Sequence, residues 1–168
     1  MTALKLVEPF GKHRGTPLPV DGSHARFELL AIDPGEHTGW AVYDVEKQLI
    51  GCGLGDPNAE RADLIVIELP QVYPMQQVPP NDLIALAFMA GRYAGVGASS
   101  KKGAAEVYTV LPHQWKGNLS KDICAIRVRA ALLPAERAVV DAADVPEKQR
   151  HNMLDAIGIG LFTLNRRF

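Results

Sequence analysis

Apolar positions along this chain follow two rhythms: short unbroken or alternating runs, and longer stretches with helical spacing. Residues 29–33 form a compact apolar run that closes on Asp33 and the turn pair Pro34-Gly35. Residues 39–44 and 48–53 follow as two further strand-like runs, and their close spacing predicts an antiparallel meander. Leu64-Ile65-Val66-Ile67 is continuous and rich in β-branched residues, as expected of a strand covered on both faces, and Glu68 stands at its C-terminal end. Residues 70–80 are Pro-rich loop. Asn81 is placed to cap a helix over 81–95, with Leu83, Leu86, Ala87, Ala90 and Tyr93 or Ala94 on one stripe. A strand over 107–111 stops at Pro112, and Ser120 caps a helix over 121–133. A last helix is expected from about Val145, where Asp144 and Glu147 have capping-box spacing and Pro146 falls in the first turn.

Three strands, a strand, a helix, a strand and two helices make an α/β layer design, a mixed sheet flanked by helices. Such sheets take ligands at the carboxyl ends of their strands. Residues 1–26 mix Pro, Gly, His and basic side chains without apolar periodicity, so they read as an extended N-terminal arm ahead of one domain over 27–168. A length of 168 residues with 47% hydrophobic content suits that single domain. No apolar run approaches the ~20 residues of a membrane span, and the first ten residues lack the apolar stretch of a secretory signal; a cytoplasmic location is expected. Cys52 and Cys124 form no Cys-x-x-Cys pair, which argues against zinc and for two reduced core thiols.

The net charge of −1 hides an asymmetry. Residues 27–100 carry ten acidic and three basic side chains, whereas 101–137 carry three acidic and seven basic. An acidic region that gathers divalent cations beside a basic one that holds phosphates suits a nuclease, and ordinary solvated surface is the plainer alternative.

Three carboxylates stand where a lone charge is costly. Asp33 and Glu68 end apolar strands, and Asp155 lies inside Met153-Leu154-Asp155-Ala156-Ile157-Gly158-Ile159-Gly160, whose other members are apolar or glycine. Each alone has a plain explanation, as a turn former, a strand end or a bond to a backbone N–H. Together they suggest a shared hard cation, Mg²⁺ with Mn²⁺ as substitute, and hence phosphoryl transfer to water.

With those residues in view, the chain resembles the RuvC family of Holliday junction resolvases, nearest to its bacteriophage branch. Leu30-Ala31-Ile32-Asp33-Pro34-Gly35 with Thr38-Gly39-Trp40-Ala41-Val42 is similar to the family's first motif. Val66-Ile67-Glu68 is similar to the second, and Asp155-Ala156-Ile157-Gly158-Ile159-Gly160-Leu161 to the last. Leu111-Pro112-His113-Gln114-Trp115-Lys116-Gly117 with Lys121 resembles its basic segment. The matches run in the family's order across 28–163.

The resemblance implies an RNase H-like fold, with a mixed five-stranded sheet and helices on both faces. It also implies a homodimer and paired cuts across a four-way DNA junction that leave 5'-phosphate and 3'-hydroxyl ends. Asp33, Glu68 and Asp155 match the metal-binding acids, and two metal ions ~4 Å apart would serve the attacking water and the departing oxygen. The family's fourth ligand position, usually Asp or His, is held here by Asn152, with His151 one residue earlier. Both share a helical face with Asp155; His151 is the better ligand, and an outward-facing His151 stands as the alternative. Lys116 and Lys121 match the basic residues near the scissile phosphate, and Tyr73 is the nearest candidate for an aromatic wedge, with a plain surface tyrosine beside it. Trp40 and Trp115 read as core or wall residues. Competing readings are an RNA–DNA hybrid nuclease, a branched-DNA module that does not cut, and a nucleotide phosphotransferase sharing an Asp-x-Gly turn, for which one domain is too small.

Overall fold

The computed structural model describes residues 14–15, 27–57, 59, 62–72, 79–99 and 105–168. Its strands are β1 (Arg14–Gly15), β2 (Phe27–Asp33), β3 (Gly39–Tyr43), β4 (Leu49–Leu54), β5 (Ala62–Glu68) and β6 (Glu106–Val110). Its helices are α1 (Pro80–Ala98), α2 (Pro112–Trp115), α3 (Lys121–Ala131), α4 (Pro134–Ala142) and α5 (Arg150–Thr163), the last preceded by a 3₁₀ turn over Glu147–Gln149. The strands form one mixed sheet in the order β1-β4-β3-β2-β5-β6. β2, β3 and β4 are the expected antiparallel meander, and β5 and β6 add in parallel to β2. Arg14 and Gly15 pair antiparallel with Leu54 and Gly53; the rest of the first 26 residues lie outside the described residues, as does Tyr73.

Alternation along β2 and β5 decides which core each residue joins. Leu30, Ile32, Ile65 and Ile67 face α1, where they pack with Trp40, Ala90 and Tyr93. Leu29, Ala31 and Val66 face the other way, into a larger core with Tyr43, Val128, Val140 and the apolar residues of α5. The chain is therefore a mixed α/β sheet with helices on both faces, and Asp33 and Glu68 continue the alternation toward α5.

α5 explains its own sequence. Met153 through Leu161 are all buried, because this helix lies between the sheet and α3, and a helix enclosed on all sides needs no polar stripe. Its close approach depends on glycine. A Cβ on Gly39 would strike the backbone carbonyl of Asn152, and one on Gly158 would stand 2.6 Å from the Trp115 ring. The Tyr43 hydroxyl then ties sheet to helix by donating to the Ile157 carbonyl at 2.8 Å.

Several local expectations are corrected. α1 starts one residue earlier than expected, its N-cap is Pro79 with no side-chain cap bond, and Asn81 lies inside the helix. Its stripe is covered most fully toward the C-terminal end: Ala90 and Tyr93 are buried, Leu83, Leu86 and Ala94 are half-buried, and Ala87 is exposed. The region 121–142 holds two helices, because Pro134, which favours a first helical position, starts α4 after a break at Leu132 and Leu133. Ser120 does cap α3, accepting from the Ile123 N–H at 3.5 Å. The Asp144/Glu147 capping box does not form; the 3₁₀ turn takes that segment, and α5 begins five residues later than expected. Both cysteines are buried and no disulfide joins them. Among the described residues, no helix is long and apolar enough to cross a membrane.

Candidate active site

Asp33 and Glu68 end neighbouring parallel strands. Ile32 pairs with Ile67, so the two carboxylates that follow stand side by side on strands ~4.8 Å apart, on the face toward α5. Behind Asp33 the chain turns at once, and Thr38 holds that turn. Its hydroxyl donates to the Gly35 carbonyl at 3.0 Å and accepts from the Gly35 N–H at 3.3 Å. Thr38 is itself buried and accepts from the Tyr93 hydroxyl of α1 at 3.4 Å. Thr38 therefore fixes the backbone that presents Asp33, a role the sequence pattern alone did not assign.

Asp155 comes from α5 and is 5% exposed. It meets Glu68 across Lys116, whose Nζ lies 3.6 Å from Asp155 Oδ2 and 3.7 Å from Glu68 Oε2. Lys116 reaches in from the residue that ends α2, and Gly117 beyond it has a φ of 57°, a left-handed conformation that glycine adopts without strain. The Lys116 ammonium sits over the Trp115 ring, 4.7 Å from its centroid. Trp115 Nε1 in turn donates to Glu68 Oε2 at 2.5 Å. The tryptophan expected as a core or wall residue is buried, and it also orients a site carboxylate. Its place next to Lys116 in the basic segment was the available clue.

The remaining candidates divide. Lys121 is exposed at the start of α3, and its charge acts on both Asp33 and Asp155. His151 is half-buried and its charge acts on Asp155. Asn152 is half-buried on the next position of α5, and its backbone carbonyl is the group that lies against Gly39. Asp33, Glu68, Asp155 and Lys116 are thus brought together, with Lys121 and His151 at the margin.

Burial is the main electrostatic influence on the acids. It pushes the Asp33 carboxyl well above its usual value, and the charges of Glu68 and Asp155 add to this against Lys116 and Lys121. Burial also raises Glu68, although Lys116 and the Trp115 bond oppose it, and raises Asp155 against Lys116, Lys121 and His151. For Lys116, burial alone would lower the value, but Asp155, Glu68 and Asp33 together outweigh it and the ammonium is held above its ordinary value. The three acids therefore bind protons more readily in the folded chain than in the unfolded one. The stability they contribute is complete below the ordinary carboxylate range, near pH ~4, and is lost as pH rises through their raised values. Metal-free protein should accordingly melt higher at about pH 5 than at about pH 7, with Asp33→Asn flattening the trend. Melting curves in chelator across that range check this; a fall in melting temperature toward pH 5 would contradict it.

Carboxylate oxygens suit a hard divalent cation. Among the described residues, no group of three or more His, Cys, Asp or Glu side chains stands as a ready-made metal cage. Glu68 and Asp155 nonetheless already converge on one positive charge, which is the arrangement a shared cation requires. A Trp115→Phe substitution, which removes the N–H but keeps an aromatic ring, should weaken metal binding or activity by about 10–100-fold with the fold intact. Titration with Mn²⁺ beside circular dichroism tests this, and unchanged metal affinity and activity would sink it.

Comparison with known proteins does not name this arrangement. No family model and no curated protein matches the chain.

Proposed function

We propose that this chain is a metal-dependent endonuclease with an RNase H-like fold, of the RuvC kind, that cuts four-way and related branched DNA and leaves 5'-phosphate and 3'-hydroxyl ends. The observation that carries the proposal is the convergence of Glu68 and Asp155 on one cation, beside Asp33 on the adjacent strand and the same sheet face. The strand order supports it: three antiparallel strands followed by two parallel ones put two acids at neighbouring carboxyl ends. Asp33, Glu68 and Asp155 would hold Mg²⁺ or Mn²⁺. When bound, the metal supplies Lewis-acid activation of water and of the departing 3'-oxygen.

The chain's own groups do the rest. Trp115 fixes the direction of Glu68, and Thr38 fixes the turn behind Asp33. Lys116 and Lys121 supply positive charge beside the acids, where a phosphate would otherwise be repelled. A homodimer accounts for paired cuts, since a four-way junction offers two symmetry-related strands to two copies of one site. Such an enzyme belongs in DNA recombination and repair, in the cytoplasm of a cell or of a phage's host. The test incubates purified protein and Mg²⁺ with labelled four-way, Y-shaped and linear DNA, and with an RNA–DNA hybrid. Cutting of branched DNA in preference to the others is expected. Preference for the hybrid would move the assignment to a hybrid nuclease, and binding without cutting in Mg²⁺ or Mn²⁺ would leave a binding module.

A further inference from the structure

Lys116 does more than line the site, because its position overlaps with that of the metal the acids would share. Its ammonium contacts Glu68 and Asp155 at once, and its side chain is only 18% exposed, so these are desolvated contacts rather than surface ones. The Trp115 ring lies under the same ammonium, and the indole N–H holds the same Glu68 oxygen that the ammonium approaches. With the lysine there, the acids are gathered around a monovalent cation rather than set as a metal cage.

We propose that the Lys116 ammonium is a built-in counter-ion that holds the place between Glu68 and Asp155 in the metal-free protein and is exchanged for the divalent metal. This rests on the metal-dependent reading above and adds to it a defined exchange. Asp155 is buried and the Glu68 side chain is only 13% exposed, so without a cation the two carboxylates repel each other with little hydration, and the metal-free fold needs a positive charge at that point. Once the divalent cation arrives, ammonium and metal repel each other at close range, and the lysine withdraws on its flexible four-carbon stem. Arginine would serve poorly here, since its planar fork would stay bonded to the carboxylates. Withdrawal also frees the ammonium for an incoming phosphate, so the exchange links metal loading to substrate capture.

The experiment measures Mn²⁺ affinity by electron paramagnetic resonance of the free ion, in wild type, Lys116→Met and Glu68→Gln, alongside melting with and without Mn²⁺. Lys116→Met keeps the stem and removes the competing charge. It should bind Mn²⁺ on the order of tenfold more tightly than wild type, melt lower without metal, and gain more from Mn²⁺ than wild type does. Equal or weaker Mn²⁺ binding by Lys116→Met overturns the exchange while leaving the metal site in place. If Glu68→Gln binds Mn²⁺ as well as wild type does, the metal-dependent reading itself fails, and the exchange with it. Should metal-free Lys116→Met not fold, the wild-type chain provides the same test. Acetylation of Lys116, followed by mass spectrometry, should be several-fold faster with Mg²⁺ than without, and no acceleration would overturn the proposal.

Discussion

Asp33→Asn should reduce cleavage of a four-way junction by at least ~10³-fold while junction binding stays near the wild-type level. The two side chains differ little in size, so the loss reports the missing charge and oxygen donor rather than packing. The same substitution carries a second, opposite signature. Asp33 is driven by burial, then by Glu68 and Asp155, toward the protonated form, so a neutral amide relieves a destabilising charge. In metal-free buffer near neutral pH the variant should melt higher than wild type. A dead enzyme that is more stable than its parent is what a functional, strained carboxylate produces. A variant that still cuts would remove Asp33 from the mechanism, and one that melts lower would show that its charge is satisfied in the fold.

The second large effect concerns stability, away from the site. Glu136 of α4 is 1% exposed and accepts from the Leu49 N–H at 2.9 Å and the Leu133 N–H at 2.8 Å. Arg166 completes it with two further bonds, at 2.5 and 2.7 Å, and also donates to the Lys47 carbonyl at 3.2 Å. One carboxylate thereby joins β4, α4 and the segment after α5. Arg166→Met would leave that carboxylate buried with no counter-charge, which costs about 3–5 kcal/mol. In a domain of this size the loss corresponds to a fall of melting temperature on the order of 10 °C. Replacing both partners with apolar residues should recover only part of it, because the unpaired charge is removed but the Leu49 and Leu133 N–H groups lose their acceptor. Burial alone would raise the Glu136 value, but Arg166 and the Leu49 and Leu133 N–H groups outweigh it and hold the carboxyl low. Its stability is therefore present above the ordinary carboxylate range and is lost as pH falls through the lowered value. Thermal melts of the single and double variants check both points, and an unaffected Arg166→Met would show the bridge to be dispensable.

Much of the sheet was legible because its strands carry their signals locally. The runs ending at Asp33 and Glu68 are apolar on both sides of the alternation, since α1 covers one face and α5 the other. Both acids could therefore be read as costly from sequence alone. The helical half was less legible. α4 was hidden because Leu132-Leu133 looks like a continuing apolar stripe, whereas Leu133 is half exposed and Pro134 starts a new helix. The start of α5 was misplaced because Asp144 and Glu147 have the right spacing for a cap, yet a 3₁₀ turn intervenes. Within the site, residue identities could be anticipated but their bonds could not. That Lys116 would bridge two acids and Trp115 would hold Glu68 depends on how α2 docks under α5, which no spacing in the sequence encodes.

Crystals grown with Mn²⁺, read by the anomalous signal of the ion, show whether Asp33, Glu68 and Asp155 share a divalent cation. A Mn²⁺ peak is expected at coordination distance from oxygens of all three side chains, with Lys116 Nζ moved off Glu68 and Asp155. Bound Mn²⁺ elsewhere, with the ammonium still seated between those two acids, would contradict it.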